Sequence, residues 1–163
     1  MSYPLWKYYP SRTRPPSWVE PLVGVFTLVE DQLDSRQQHG ITSDAALAVL
    51  YPGLVALDFE VEKGKKRADK IRRPVLFGEV GREDLAYEVD AFQPDSGVAL
   101  EVEAGRGARG NAVYRDLIQT SLLVDARFLA LAVMLDYRHN TAGRQISVRS
   151  YADTRNLLDA IYA

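Results

Sequence analysis

The chain is predicted to form an α/β fold, a mixed β-sheet of about five strands flanked by helices, in one domain spanning residues 1–163. Three observations predict it. Apolar residues recur at helical spacing near both ends, residues 87–103 alternate with period two, and an unbroken apolar run at 128–135 has the length of a strand.

Taken in order, residues 1–16 are rich in proline and aromatics and read as an irregular arm. Ser17-Trp18-Val19-Glu20 has capping-box spacing, and Leu22, Val25, Phe26, Val29 and Leu33 continue at helical period, which gives a first helix. Ser43 is the N-cap candidate of a second helix carrying Ala45, Leu47, Val49 and Leu50, interrupted at Pro52-Gly53. Residues 59–62 and 74–78 read as two strands, and 87–92 with 98–103 as a hairpin. A helix at 111–124 follows, with Val113, Leu117, Ile118, Leu122 and Val124 as its apolar stripe. Residues 128–136 read as a central strand covered on both faces, 145–151 as an edge strand, and 153–162 as a closing helix with Leu157, Leu158 and Ile161 inward.

A hydrophobic fraction of 47% with mixed charge is that of a globular protein, and the longest apolar run is far too short to cross a bilayer. No membrane partner is expected. The N-terminal segment, with Tyr3, Trp6, Lys7, Tyr8 and its prolines, lacks the continuous apolar stretch of a secretory leader. The absence of cysteine excludes disulfides and thiolate metal sites, and a cytoplasmic location is the expectation.

The hairpin carries the most chemistry. On strand 98–103, Val98, Leu100 and Val102 share one face while Glu101 and Glu103 project from the other. A four-residue loop over 94–97 pairs Gln93 with Val98, which sets Asp90 across from Glu101 and Glu88 across from Glu103. Cross-strand partners lie about 4.5 to 5.5 Å apart at Cβ, and like charges there are destabilising unless neutralised. Two readings follow: a solvated acidic face, or a hard-cation site in which Asp90 and Glu101 hold Mg²⁺.

The net charge of −2 argues against indiscriminate binding to nucleic acid. Its distribution differs, because seven of the eleven residues from Lys63 to Arg73 are basic (Lys63, Lys65, Lys66, Arg67, Lys70, Arg72, Arg73). This patch is either a solvated loop or a phosphate-facing surface.

Gly105-Arg106-Gly107-Ala108-Arg109-Gly110 fits a dinucleotide fingerprint between a strand and a helix. Glu101 and Glu103 on the preceding strand would repel a pyrophosphate, so the glycines read better as a tight turn that lets backbone and arginines approach phosphate. His39 and His139 have no partner at ligand spacing, and no motif marks Ser96, Ser121 or Ser150 as a nucleophile.

The succession of helix, Asp-bearing strand, turn, Glu-x-Glu strand, helix and apolar strand resembles the PD-(D/E)XK nuclease superfamily. Val98-Ala99-Leu100-Glu101-Val102-Glu103, the Gly and Arg loop, Asn111, Tyr114-Arg115-Asp116-Leu117 and residues 128–133 are similar to restriction endonucleases of the BglII and BstYI type. The overlap covers residues 85–136. Glu103 stands where the superfamily more often has Lys, although BamHI-like members use Glu there.

The resemblance implies a restriction-endonuclease-like sheet and Mg²⁺-dependent hydrolysis of DNA, with Mn²⁺ as a substitute ion and no small-molecule cofactor. Asp90, Glu101 and Glu103 would be catalytic, Asp90 and Glu101 the metal ligands, and Glu30 of the first helix an additional acid. Lys63, Lys65, Lys66, Arg67, Arg106 and Arg109 would grip the DNA backbone. Asn111, Tyr114 and Gln119 would hydrogen-bond behind the carboxylates. One site per chain implies a homodimer for cutting both strands. The alternatives are an inactive DNA-binding or regulatory module and, less favoured, a nucleotide-cofactor enzyme.

Overall fold

A computed structural model describes residues 3–162. The element order is α1 (Val19–Leu28), α2 (Glu30–Leu33), α3 (Ser43–Ala56), β1 (Glu60–Val61), β2 (Ile71–Phe77), β3 (Glu83–Val89), β4 (Ala91–Gln93), β5 (Val98–Glu103), α4 (Ala112–Leu122), β6 (Phe128–Val133), β7 (Tyr137–Thr141), β8 (Arg144–Val148) and α5 (Ser150–Tyr162). The fold is α/β. A mixed sheet runs β1-β4-β5-β6, and two separate hairpins, β2-β3 and β7-β8, replace the single sheet of about five strands that the sequence suggests.

β4 and β5 pair antiparallel through Gln93↔Val98, Phe92↔Ala99 and Ala91↔Leu100, the expected register. Leu100, Val98 and Val102 then face a core built with Leu22 and Val25 of α1 and Leu47, Leu50 and Leu54 of α3. Ala99 faces the opposite side with Phe92, Val89 and Leu123. Alternation along β5 therefore separates an apolar face from the face that carries Glu101 and Glu103.

Several boundaries differ from the sequence reading. Trp18, without a side-chain cap, precedes α1 in place of the Ser17 capping box, and α1 ends at Leu28. Thr42, not Ser43, caps α3: its hydroxyl accepts from the Ala45 amide at 3.2 Å. α3 also passes through Pro52, at the loss of one backbone hydrogen bond, because Leu50 and Leu54 on either side are fully buried. Gly53 lets α1 and α3 close up, since a Cβ there would lie 2.6 Å from Val25 Cγ1.

The predicted strand 87–92 is broken at Asp90. Upstream of it β3 leaves β5 and pairs with β2, so Glu88 stands across from Arg72 and not Glu103. β6 is parallel to β5 and lies at the sheet's edge among the described residues, contrary to the central position its apolar run suggests. β8 pairs with β7, a strand that the sequence does not announce because Tyr137-Arg138-His139-Asn140-Thr141 is largely polar. Tyr151, expected in a strand, belongs to α5.

Residues 3–16 form no helix or strand, as expected of the arm, whose first two residues lie outside the described ones. The arm is held on α5: Lys7 pairs with Asp159, and the Tyr9 hydroxyl donates to Asp159 Oδ1 at 2.9 Å and the Arg155 carbonyl at 3.1 Å. No helix among the described residues is long and apolar enough to cross a membrane.

Candidate functional site

Where β3 swings away, Asp90 is left between β1 and β5. Its backbone carbonyl accepts from the Glu62 amide at 2.9 Å, and its carboxylate Oδ2 accepts from the Val102 amide at 2.7 Å. Glu62, one residue beyond β1, and Asp90 thereby reach the face of β5 that carries Glu101 and Glu103. α4 covers that face. Its inward residues are Val113, Asp116 and Thr120, and Asp116 is only 3% exposed.

The predicted α4 stripe is thus corrected. Ile118 is 62% exposed and Leu122 47%, because the helix is rotated to bring Asp116 against the sheet. Asp116 is the residue that sequence reasoning misses most plainly. A charged residue three positions after Val113 and four before Thr120, on one helical face, is the pattern that could have found it.

Five carboxylates therefore gather: Glu62, Asp90, Glu101, Glu103 and Asp116. Two have cationic partners. Lys70 Nζ lies 2.6 Å from Glu62 Oε1, and Arg115 Nη2 lies 2.9 Å from Asp116 Oδ1. No cation is paired with Asp90, Glu101 or Glu103 among the described residues. Burial, then the charges of Asp90 and Asp116, pushes Glu101 up to about 9. Burial likewise raises Asp90 to about 6, with Glu62 and Asp116 adding and the Val102 amide and Lys70 opposing. Glu103 and Asp116 are raised in the same direction, chiefly by burial, against the pull of Arg115.

A polar cavity of about 430 Å³ opens beside Glu101, lined by Arg72, Tyr87, Glu88, Arg115, Asp116 and Gln119 among others. A second, apolar cavity of about 480 Å³ lies under the arm, bounded by Trp18, Leu22, Phe26 and Phe128. Most of its lining is apolar, with Lys7, Glu103, Arg127 and Arg155 also bordering it, whereas Glu101, Arg72, Arg115 and Asp116 line the first cavity.

The other expected residues are dispersed. Glu30 begins α2, with Arg36 Nη2 at 3.9 Å from its carboxylate, in a separate cluster with Asp34. Lys63, Lys66 and Arg67 are exposed and make no ion pair among the described residues, whereas Lys65 lies 3.4 Å from Asp44. Arg106 is exposed, but Arg109 is held by Asp153 of α5 at 2.6 Å. Gln119 lines the polar cavity; Asn111 and Tyr114 are exposed and do not.

The glycine loop serves packing. Gly107, at φ +57°, is pressed against Ser150 and Thr154 of α5, where a Cβ would meet Thr154 Oγ1 at 3.1 Å. The Glu103 carboxylate crowds Gly105, which puts negative charge where a bound pyrophosphate would have to approach.

The donor chemistry suits a hard divalent cation: partly buried, mutually repelling carboxylates retain protons that such an ion would displace. Asp90 and Glu101 are the residues able to hold it. Among the described residues, no group of three or more His, Asp or Glu side chains is arranged as a ready ligand set. Two protein carboxylates would leave the remaining positions to water and substrate oxygens, the usual division for Mg²⁺.

No family model, curated protein or solved structure matches the chain.

Proposed function

We propose that this protein is a Mg²⁺-dependent DNA endonuclease of the restriction-endonuclease-like kind, accepting Mn²⁺ and acting as a homodimer. The observation that carries this reading is the half-buried Glu101 beside Asp90, without a cationic partner among the described residues and next to a polar cavity that also holds two arginines. The order α3, β1, β4, β5, α4, β6, with Asp90 just before β4 and Glu101 and Glu103 on its antiparallel neighbour β5, supports it.

A bound Mg²⁺ would supply charge neutralisation of the scissile phosphate and acidification of water. The chain's own groups do the rest. Asp90 is oriented by the Val102 amide, and Glu101 is fixed by its strand. Glu103, two residues along on the same face, takes the proton of the attacking water; burial raises its pKa above the ordinary carboxylate value, which strengthens it as a base. Lys63, Lys66, Arg67 and Arg106, exposed and without ion pairs among the described residues, provide contacts to flanking phosphates.

A binding module without cleavage activity is the second reading, favoured by the lack of a ready three-residue ligand set among the described residues. Supercoiled plasmid decides between them. Nicking or linearisation with Mg²⁺, abolished by EDTA and by Asp90→Ala, supports the nuclease. A gel shift without cleavage in Mg²⁺ or Mn²⁺ supports the module.

A further inference from the structure

Arg72 and Arg115 come from elements far apart in the chain, the β2 strand and the α4 helix, yet line the same polar cavity as Glu101. Glu88, Glu101 and Asp116 line the cavity too, yet neither guanidinium is saturated by them. Arg72 has Glu83 at 3.7 Å, beyond hydrogen-bond reach, and its cross-strand partner is Glu88. Arg115 donates from Nε to Asp116 Oδ1 at 3.0 Å, but its side chain is 60% exposed. A guanidinium carries five N–H donors, and one carboxylate oxygen cannot take them all.

We infer that Arg72 and Arg115 form a phosphate-binding pair that seats a nucleic-acid phosphodiester in the cavity beside Glu101. The inference rests on the nuclease reading and deepens it by assigning the residues that hold the reacting phosphate. Guanidinium forks match phosphate oxygens in pairs, and two forks from different elements fix orientation as well as position. Gln119, which lines the same cavity, adds a neutral donor. The Asp116 contact orients Arg115, so the anion meets a guanidinium already held in place. The exposed Lys63, Lys66 and Arg67 lie outside this lining and act on flanking phosphates only.

The test is fluorescence anisotropy of a labelled DNA duplex in EDTA, where nothing is cut, with thermal unfolding as a check on folding. Arg72→Gln and Arg115→Gln each raise Kd roughly tenfold and reduce the salt slope by about one. Arg115→Lys, which keeps charge and loses the fork, falls between Arg115→Gln and wild type. Arg144→Gln, on the separate β7-β8 hairpin, leaves Kd unchanged. Arg72 does not pair with Asp116, so Arg72→Gln remains informative even if Arg115→Gln fails to fold.

Equal binding by wild type and both glutamine variants overturns the inference, as does wild type that binds no duplex. Cleavage with Mg²⁺ is scored separately. Wild type that cuts while the arginine variants bind normally leaves the nuclease reading standing without the pair. Wild type that binds through both arginines but never cuts leaves the pair standing without the nuclease.

Discussion

The Asp90 carboxylate, one residue before β4, accepts the Val102 amide at 2.7 Å, two residues beyond Leu100, the last β5 position paired with β4. This bond does two things. It satisfies a β5 amide at the point where β3 has departed for β2, and it fixes Asp90 on the face of Glu101. The break that ends the strand thus positions the acid.

The first prediction concerns pH. Folding holds protons on Glu101 up to about 9 and on Asp90 up to about 6, against ordinary values of 4.5 and 3.8. Between those limits the unfolded chain binds fewer protons than the folded one, so metal-free stability falls as pH rises. The slope is at most about 1.4 kcal/mol per pH unit for each group. Asp34, held low by Arg36, and Asp159, held low by Lys7, act with the opposite sign at more acid pH, so pH 6 to 9 is the window for Glu101. Urea unfolding in EDTA declines across that window in wild type and flattens in Glu101→Gln. Parallel profiles contradict the burial of Glu101.

A second prediction tests the Lys70 and Glu62 pair, whose side chains are 21% and 11% exposed. Lys70→Met leaves a largely buried carboxylate beside Asp90 and costs about 1 to 3 kcal/mol. Glu62→Gln in the same background recovers part of the loss. A double-mutant cycle by urea unfolding with coupling near zero contradicts this.

A third concerns the support of β4. Phe92 is fully buried, and the Arg73 guanidinium lies 3.9 Å from its ring centroid. Phe92→Ala lowers stability by about 3 to 5 kcal/mol. Because Phe92 is two residues from Asp90, the variant also loses cation affinity in a thermal-shift titration with Mn²⁺. A shift equal to wild type would mean that the site does not depend on this packing.

A fourth separates Glu103 from the metal ligands. Glu103→Gln lowers the plasmid cleavage rate by about 10² to 10⁴ and changes Mn²⁺ affinity little. Loss of ion binding in this variant would make Glu103 a ligand instead.

Much of this is legible in the sequence where short-range rules act. The Gln93 to Val98 turn and the alternation of β5 depend on neighbouring residues, and that alternation alone puts Glu101 and Glu103 on the face they occupy. The partner of Glu88 is not legible, since nothing local says that β3 leaves at Asp90 to pair with β2. Asp116 is hidden for a similar reason. Leu117, Ile118 and Leu122 make a plausible stripe by themselves, and only the position of the sheet shows that Asp116 is the inward residue. Lys70 reads as part of a basic run, whereas the fold commits it to Glu62.

On the proposed function, Asp90 and Glu101 together bind a divalent cation. Mn²⁺ titration calorimetry on wild type and Glu101→Ala tests it most directly, with both proteins checked for folding. Wild type shows a saturable site, with protons released on binding, and Glu101→Ala loses it. Equal heats from the two proteins, or none from wild type, would contradict it.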